Sequence, residues 1–292
     1  MHSYLRAVGF SNVKSRHELE EVLAHTQNNP DKKQVVSVNK DDCFCEITKF
    51  YGNGIGIRIV GFYDENDEFC MDHYFPIIMG ETPGLFEEVS ITKKSGNMSF
   101  SVMCDDVRLG VILIFYLQNS VEFLKLIEEP EDYVGHRSAI LSGLSVDGKI
   151  ILPVDKTPQE ANQLKLDRNK RSKLITDARN GDEEAIESLT MEDIDTFAQI
   201  SRRVRSEDLY SIVDTSFYPY GAEADIYSII GNILDYDKVK NEMTGEEVYV
   251  MLVESNDVLI TVGINEKDLY GIPMIGARFK GSVWMQGNVA FS

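Results

Sequence analysis

Long apolar runs are missing from this chain. The longest, Leu109 to Leu117, falls far short of the roughly 20 residues a spanning helix needs and is expected to be a buried strand, so no membrane association is expected. Cysteine is scarce. Cys43, Cys45, Cys70 and Cys104 all fall within expected strands, with no paired CxxC knuckles around them. His73 follows Cys70 at a ligand-like spacing, but small apolar packing is the usual fate of such thiols, so free cysteines and no metal are expected. The five histidines, His2, His17, His25, His73 and His136, belong to no G-x-S-x-G or H-E-x-x-H pattern. Gly52-Asn53-Gly54-Ile55-Gly56 precedes a β-branched strand rather than a helix, which excludes a dinucleotide fingerprint and leaves a hairpin turn. Asp64-Glu65-Asn66-Asp67 lacks the glycine and distal glutamate of a calcium loop. No cofactor is expected.

Positive charge is also short. Lys and Arg number 29 against 48 Asp and Glu, for a net charge of -19. Such a field slows approach to nucleic acids and anionic membranes and favours cationic partners. The opening MHSYLRAVGF has neither a basic start nor an apolar block, so a cytoplasmic location is expected.

With 43% apolar residues over 292 positions, the chain can build about two cores. Ser15-x-x-Glu18 is a capping box opening a helix that stops at Asn28-Asn29-Pro30. From Cys43 the period changes to two. Residues 43 to 50, 55 to 63 and 68 to 78 read as an antiparallel meander, followed by a hairpin over 88 to 93 and 98 to 104. A helix at 119 to 128 and a hairpin turning at Asp147-Gly148 complete an N-terminal α+β domain, residues 1 to 156. A helical connector, 157 to 206, opens at the capping box Thr157-Pro158-Gln159-Glu160. It carries the basic stretch Lys165, Arg168, Lys170, Arg171 and Lys173, then two short helices with Thr190 capping the second.

Residues 207 to 292 read as a five-stranded Greek-key barrel of the oligonucleotide/oligosaccharide-binding type, with strands at 209 to 213, 226 to 236, 247 to 255, 258 to 264 and 278 to 291. Gly231 falls where the long second of these must bend. Alternation directs Phe279, Val283 and Met285 inward and Lys280, Trp284 and Gln286 outward. In the middle strands Val248, Val250, Leu252, Val258, Ile260 and Val262 are expected inside, with Tyr249, Met251, Val253 and Leu259 outside. That outer face is apolar. It is either covered by another part of the chain or a binding surface, whose candidate residues are Tyr249, Met251, Arg278, Lys280 and Trp284. The barrel region holds 14 acidic residues against 5 basic ones, so it lacks a positive groove. The segment Tyr218 to Asp225, rich in tyrosine and carboxylate, is expected to be a packed crossover, with a pocket-framing loop as its alternative.

These readings favour a non-enzymatic binding or assembly protein that uses the outer barrel face or the domain cleft to engage a protein or small ligand. The alternatives are single-strand nucleic-acid binding through the barrel and basic connector, and an enzyme with a carboxylate pocket at the domain junction. The blocks YLRAVGF, ARNGDEEAIESLTMEDIDTFAQIS, SIVDTSFYPYGAEADIYSIIGNI and GARFKGSVWMQG resemble, in combination and over the full length, a family of unknown function from Gram-positive anaerobes. The resemblance implies a bacterial, cytoplasmic protein of housekeeping or regulatory kind and carries no catalytic residue with it.

Overall fold

The structure, a computed structural model, describes residues 2–38, 43–127, 133–154, 158–205 and 208–291. A 3₁₀ segment, Ser3–Val8, leads into helix α1 (Arg16–Asn28). Its start is the capping box expected from sequence: Glu18 N–H donates to Ser15 Oγ while the Glu18 carboxylate accepts from Ser15 N–H. Strands β1 (Lys32–Ser37), β2 (Cys43–Gly52), β3 (Ile55–Tyr63) and β4 (Phe69–Ile78) form an antiparallel sheet in chain order. Gly54, at φ +71°, makes the β2–β3 turn in the left-handed region that favours glycine.

The second sheet begins with β5 (Glu88–Lys93), β6 (Phe100–Cys104), β7 (Leu113–Leu117) and β8 (Tyr133–His136), with helix α2 (Ser120–Leu126) between the last two. The next strand, β9 (Ala139–Ile151), is continuous where a hairpin at Asp147-Gly148 was expected. Gly148 instead permits a close approach, since a Cβ there would lie 2.6 Å from the Phe279 ring and 2.9 Å from Ile264. After helices α3 (Pro158–Arg179), α4 (Glu183–Arg203) and α5 (Leu209–Ile212) come β10 (Ser216–Pro219), β11 (Ile226–Lys240), β12 (Glu247–Ser255), β13 (Val258–Asn265), β14 (Leu269–Tyr270) and β15 (Arg278–Val289). The order β11-β12-β13-β9-β15 closes on itself through β11 and β15 into a five-stranded barrel. All its pairings are antiparallel except β13 with β9. The fifth wall is thus residues 139–151, while 209–212, expected as a strand, is helical. Asn256 and Asp257, both at positive φ, form the two-residue turn between β12 and β13.

Gly231 marks the bend in β11, where a Cβ would lie 2.4 Å from Val253 and 2.7 Å from the Glu254 carbonyl. The helices form an antiparallel pair. Gly181, at φ +89°, ends α3, and Asp182 caps α4 by accepting from Glu184 and Ala185 N–H. Residues 183–203 are one helix rather than two, because Thr190 Oγ donates to the Ile186 carbonyl within it and does not act as a cap. The expected cap at Thr157 and the side chain of Lys165 lie outside the described residues. The fold is mixed α+β and mostly sheet, as the sequence periods indicate.

The first sheet packs on part of the outer barrel face. Gln286 Nε2 donates to the Pro76 carbonyl, and Gln118 Nε2 donates to Gln286 and to the Ile78 carbonyl, in a buried network. The N-terminal segment is fastened at Glu246, whose carboxylate accepts from Ser11, Asn265 and Lys267. Burial pushes the Glu246 carboxyl up, but these hydrogen bonds outweigh it and hold the group below its ordinary value. In β12 the phase is opposite to expectation: Met251 and Val253 pair with Val262 and Ile260 on the inner face, and Val250 and Leu252 face outward. The run Val-Tyr-Val-Met-Leu-Val is apolar at every position, so alternation alone cannot set its phase.

Candidate functional site

Where the first sheet meets the barrel, an open cleft of about 770 Å³ has Trp284 at its base. The outward phase of β15 places the indole there. β7 contributes Tyr116, β4 contributes His73, and the 3₁₀ segment brings His2 and Tyr4. The turn after β5 and the segment before β11 supply Lys94 and Asp225. Ring centroids of Trp284 lie 4.7 Å from His2, 5.5 Å from Tyr4 and 5.6 Å from Tyr116, a contiguous aromatic surface.

The polar groups form two linked sets. Asp72 Oδ2 lies 2.8 Å from His73 Nδ1, and His73 Nε2 lies 2.7 Å from the Tyr116 hydroxyl. The carboxylate keeps the proton on Nδ1, so Nε2 accepts from the phenol. Burial lowers the His73 pKa and lifts the Tyr116 phenol well above its ordinary value. His2 is lowered to about 4, chiefly by burial, and its Nδ1 is a buried atom with no hydrogen-bond partner. In the second set, Lys94 Nζ donates to Asp225 Oδ2 at 2.9 Å and stands 5.5 Å from the centre of the Tyr116 ring. At neutral pH the described lining therefore presents the neutral imidazoles of His2 and His73 and the protonated phenols of Tyr4 and Tyr116, with the side chains of Lys94, Asp225 and Glu223 beside them.

Of the five binding candidates read from sequence, Trp284 alone lines this cleft. It is 6% exposed and lies under the 3₁₀ segment. Tyr249 and Met251 are buried on the inner phase of β12, with Lys238 Nζ 5.5 Å from the Tyr249 ring. Arg278, 2% exposed, donates to the carbonyls of Leu152, Tyr210, Val213 and Asp214. Lys280 donates to the Tyr210 hydroxyl at 2.5 Å. The five candidates therefore do not form one surface. The segment before β11, expected as a packed crossover, instead gives Glu223, Ala224 and Asp225 to the cleft wall. His2, His73, Lys94 and Tyr116 carry no sequence motif. Their assembly depends on pairings between distant strands.

In the basic stretch, Arg168 pairs with Asp257 and Asp214, Lys170 with Glu192, and Arg171 with Glu192 and Asp193. Among the described residues, no group of three or more His, Cys, Asp or Glu side chains is arranged to hold a metal ion, and no helix is long and apolar enough to cross a membrane.

The family model for a domain of unknown function, DUF3881 (E. rectale gene description), matches residues 5–287, and the chain belongs to this family. No curated protein and no solved structure matches it significantly.

Proposed function

We propose that this member of the DUF3881 family is a non-enzymatic binding protein that holds a small ligand in the cleft between the first sheet and the outer barrel wall. The observation carrying this reading is the aromatic floor of His2, Tyr4, Tyr116 and Trp284 beneath a cavity of about 770 Å³. Ligand sites combine such apolar concavity with a few convergent polar groups, here Lys94, Asp225 and the orphaned His2 Nδ1.

Binding without chemistry is supported by the state of the titratable groups. A general base needs a free lone pair within reach of its proton. The His73 lone pair is engaged by Tyr116, the Tyr116 phenol stays protonated because burial raises its pKa, and His2, although its Nδ1 is unpartnered, is made a weak base by the burial that lowers it to about 4. Ion pairs engage three of the five basic residues on which a nucleic-acid reading depends, Arg168, Lys170 and Arg171, which favours a ligand of another kind.

Trp284, the one tryptophan, reports on the site. Titration with a fragment panel of mixed charge is expected to change its emission and raise the unfolding temperature. Ser101→Phe, which directs a ring into the cleft from β6 beside Tyr116, is expected to abolish both responses. A panel that leaves emission and unfolding temperature unchanged in the unmodified protein refutes the reading.

A further inference from the structure

Resting on the cleft as a ligand site, we infer that its ligand is a small molecule bearing a primary ammonium group on an apolar or aromatic body, and that Lys94 occupies the ammonium position when the ligand is away. The Lys94 side chain reaches across from the turn after β5 and sets Nζ 2.9 Å from Asp225 Oδ2 and 5.5 Å from the centre of the Tyr116 ring. A carboxylate beside an aromatic face is the arrangement that recognises an alkylammonium, by a charge-assisted hydrogen bond and by cation–π attraction.

The surroundings select the same sign of charge. Asp225 is 6% exposed and fixed, its carbonyl accepting from Met285 N–H in the barrel wall. Glu223 stands at the same wall, and Asp72 lies behind His73. An anionic ligand would meet these carboxylates with Lys94 as its only cationic partner among the described lining residues, and that ammonium is already paired. Lys94 lies in a surface turn, half-exposed, so its side chain can swing into solvent and leave the Asp225 carboxylate to an incoming amine. The net charge of -19 concentrates cations around the whole molecule.

Three probes of matched shape separate the possibilities: 2-phenylethylamine, 2-phenylethanol and 3-phenylpropionate, titrated against Trp284 emission and by calorimetry. The amine is expected to bind most tightly. Lys94→Met removes the competing ammonium and is expected to tighten amine binding about tenfold, the equivalent of about 1.4 kcal/mol. Asp225→Asn is expected to weaken the amine about tenfold and leave the alcohol unchanged, with unfolding temperatures checking that both variants fold. Preference for the carboxylate, or weaker binding of any preferred probe in Lys94→Met, overturns the ammonium assignment. So does an amine affinity that ignores Asp225→Asn, or failure of all three probes to bind. If other fragments still change Trp284 emission in a way that Ser101→Phe abolishes, the cleft stands and only the assignment falls. If no fragment does, both fall.

Discussion

Replacing Arg278 by methionine is expected to destabilise the protein by about 3–5 kcal/mol while leaving the cleft intact. The guanidinium donates to the Leu152 carbonyl at 2.9 and 2.7 Å, to Tyr210 at 2.6 Å, to Val213 at 2.6 Å and to Asp214 at 3.2 Å. One side chain thus ties the start of β15 to the segment after β9 and to α5. Hydrogen bonds to a charged group contribute about 1.5–3 kcal/mol each, and orphaned buried carbonyls cost about 1–3 kcal/mol each. Against that sum stands the desolvation of a buried charge, several kcal/mol, which the variant no longer bears. Methionine keeps most of the volume, so the difference isolates the polar contacts. Lysine offers three donors from one point and cannot span the fork, and is expected to recover less than half of the loss. Urea unfolding followed by circular dichroism and Trp284 emission together is the assay. With a slope of about 4 kcal/mol/M for a chain of this size, the midpoint should fall by about 1 M. A methionine variant within about 1 kcal/mol of the parent would refute the clamp and return Arg278 to the candidates for ligand binding.

Gly231→Ala should cost about 2–3 kcal/mol by thermal or urea unfolding, because the new Cβ would lie 2.4 Å from Val253 and 2.7 Å from the fixed Glu254 carbonyl; a loss below about 0.5 kcal/mol would mean that β11 has room to shift. His2 makes stability depend on pH. Its folded pKa of about 4 lies below the ordinary 6.5, so the unfolded chain takes up the proton first. The contribution is complete above pH 6.5 and lost as pH falls toward 4, by up to about 3 kcal/mol. The stability difference between the parent and His2→Gln should therefore shrink or reverse over that window, and a constant difference would show that the imidazole is not buried in solution.

The elements that could be read from sequence are those whose signals are local. The Ser15–Glu18 capping box, the turn at Gly54 and the strands from Cys43 to Ile78 depend on a few neighbouring residues, and each forms where its pattern indicates. The barrel strands from β11 onward were legible for the same reason. Its fifth wall was not, since β9 joins β13 in parallel register from more than a hundred residues away, and no local pattern records a partner at that distance. Asp147-Gly148 reads as a turn because glycine serves turns and close approaches alike, and only the Phe279 ring lying against it distinguishes the two.

The same distinction governs the site. The outward phase of Trp284 was legible because β15 alternates cleanly through Phe279, Val283 and Met285, and the register shift beside Gly281 is taken up on the β9 side, by Val146 and Asp147, leaving that phase intact. The residues around the indole come from β4, β7, the turn after β5, the 3₁₀ segment and the approach to β11, so the cleft exists only when both sheets are assembled. It follows that anything bound there touches both sheets and adds to the polar contacts that already join them, the Gln286 bond to the Pro76 carbonyl among them. A ligand ammonium that replaces Lys94 exchanges one contact with Asp225 for another, but its apolar body adds contact with Trp284 and Tyr4 that the lysine does not make. Ligand binding and the stability of the sheet–barrel junction are therefore one equilibrium, and the bound state must be the more stable by an amount set by ligand concentration over its dissociation constant.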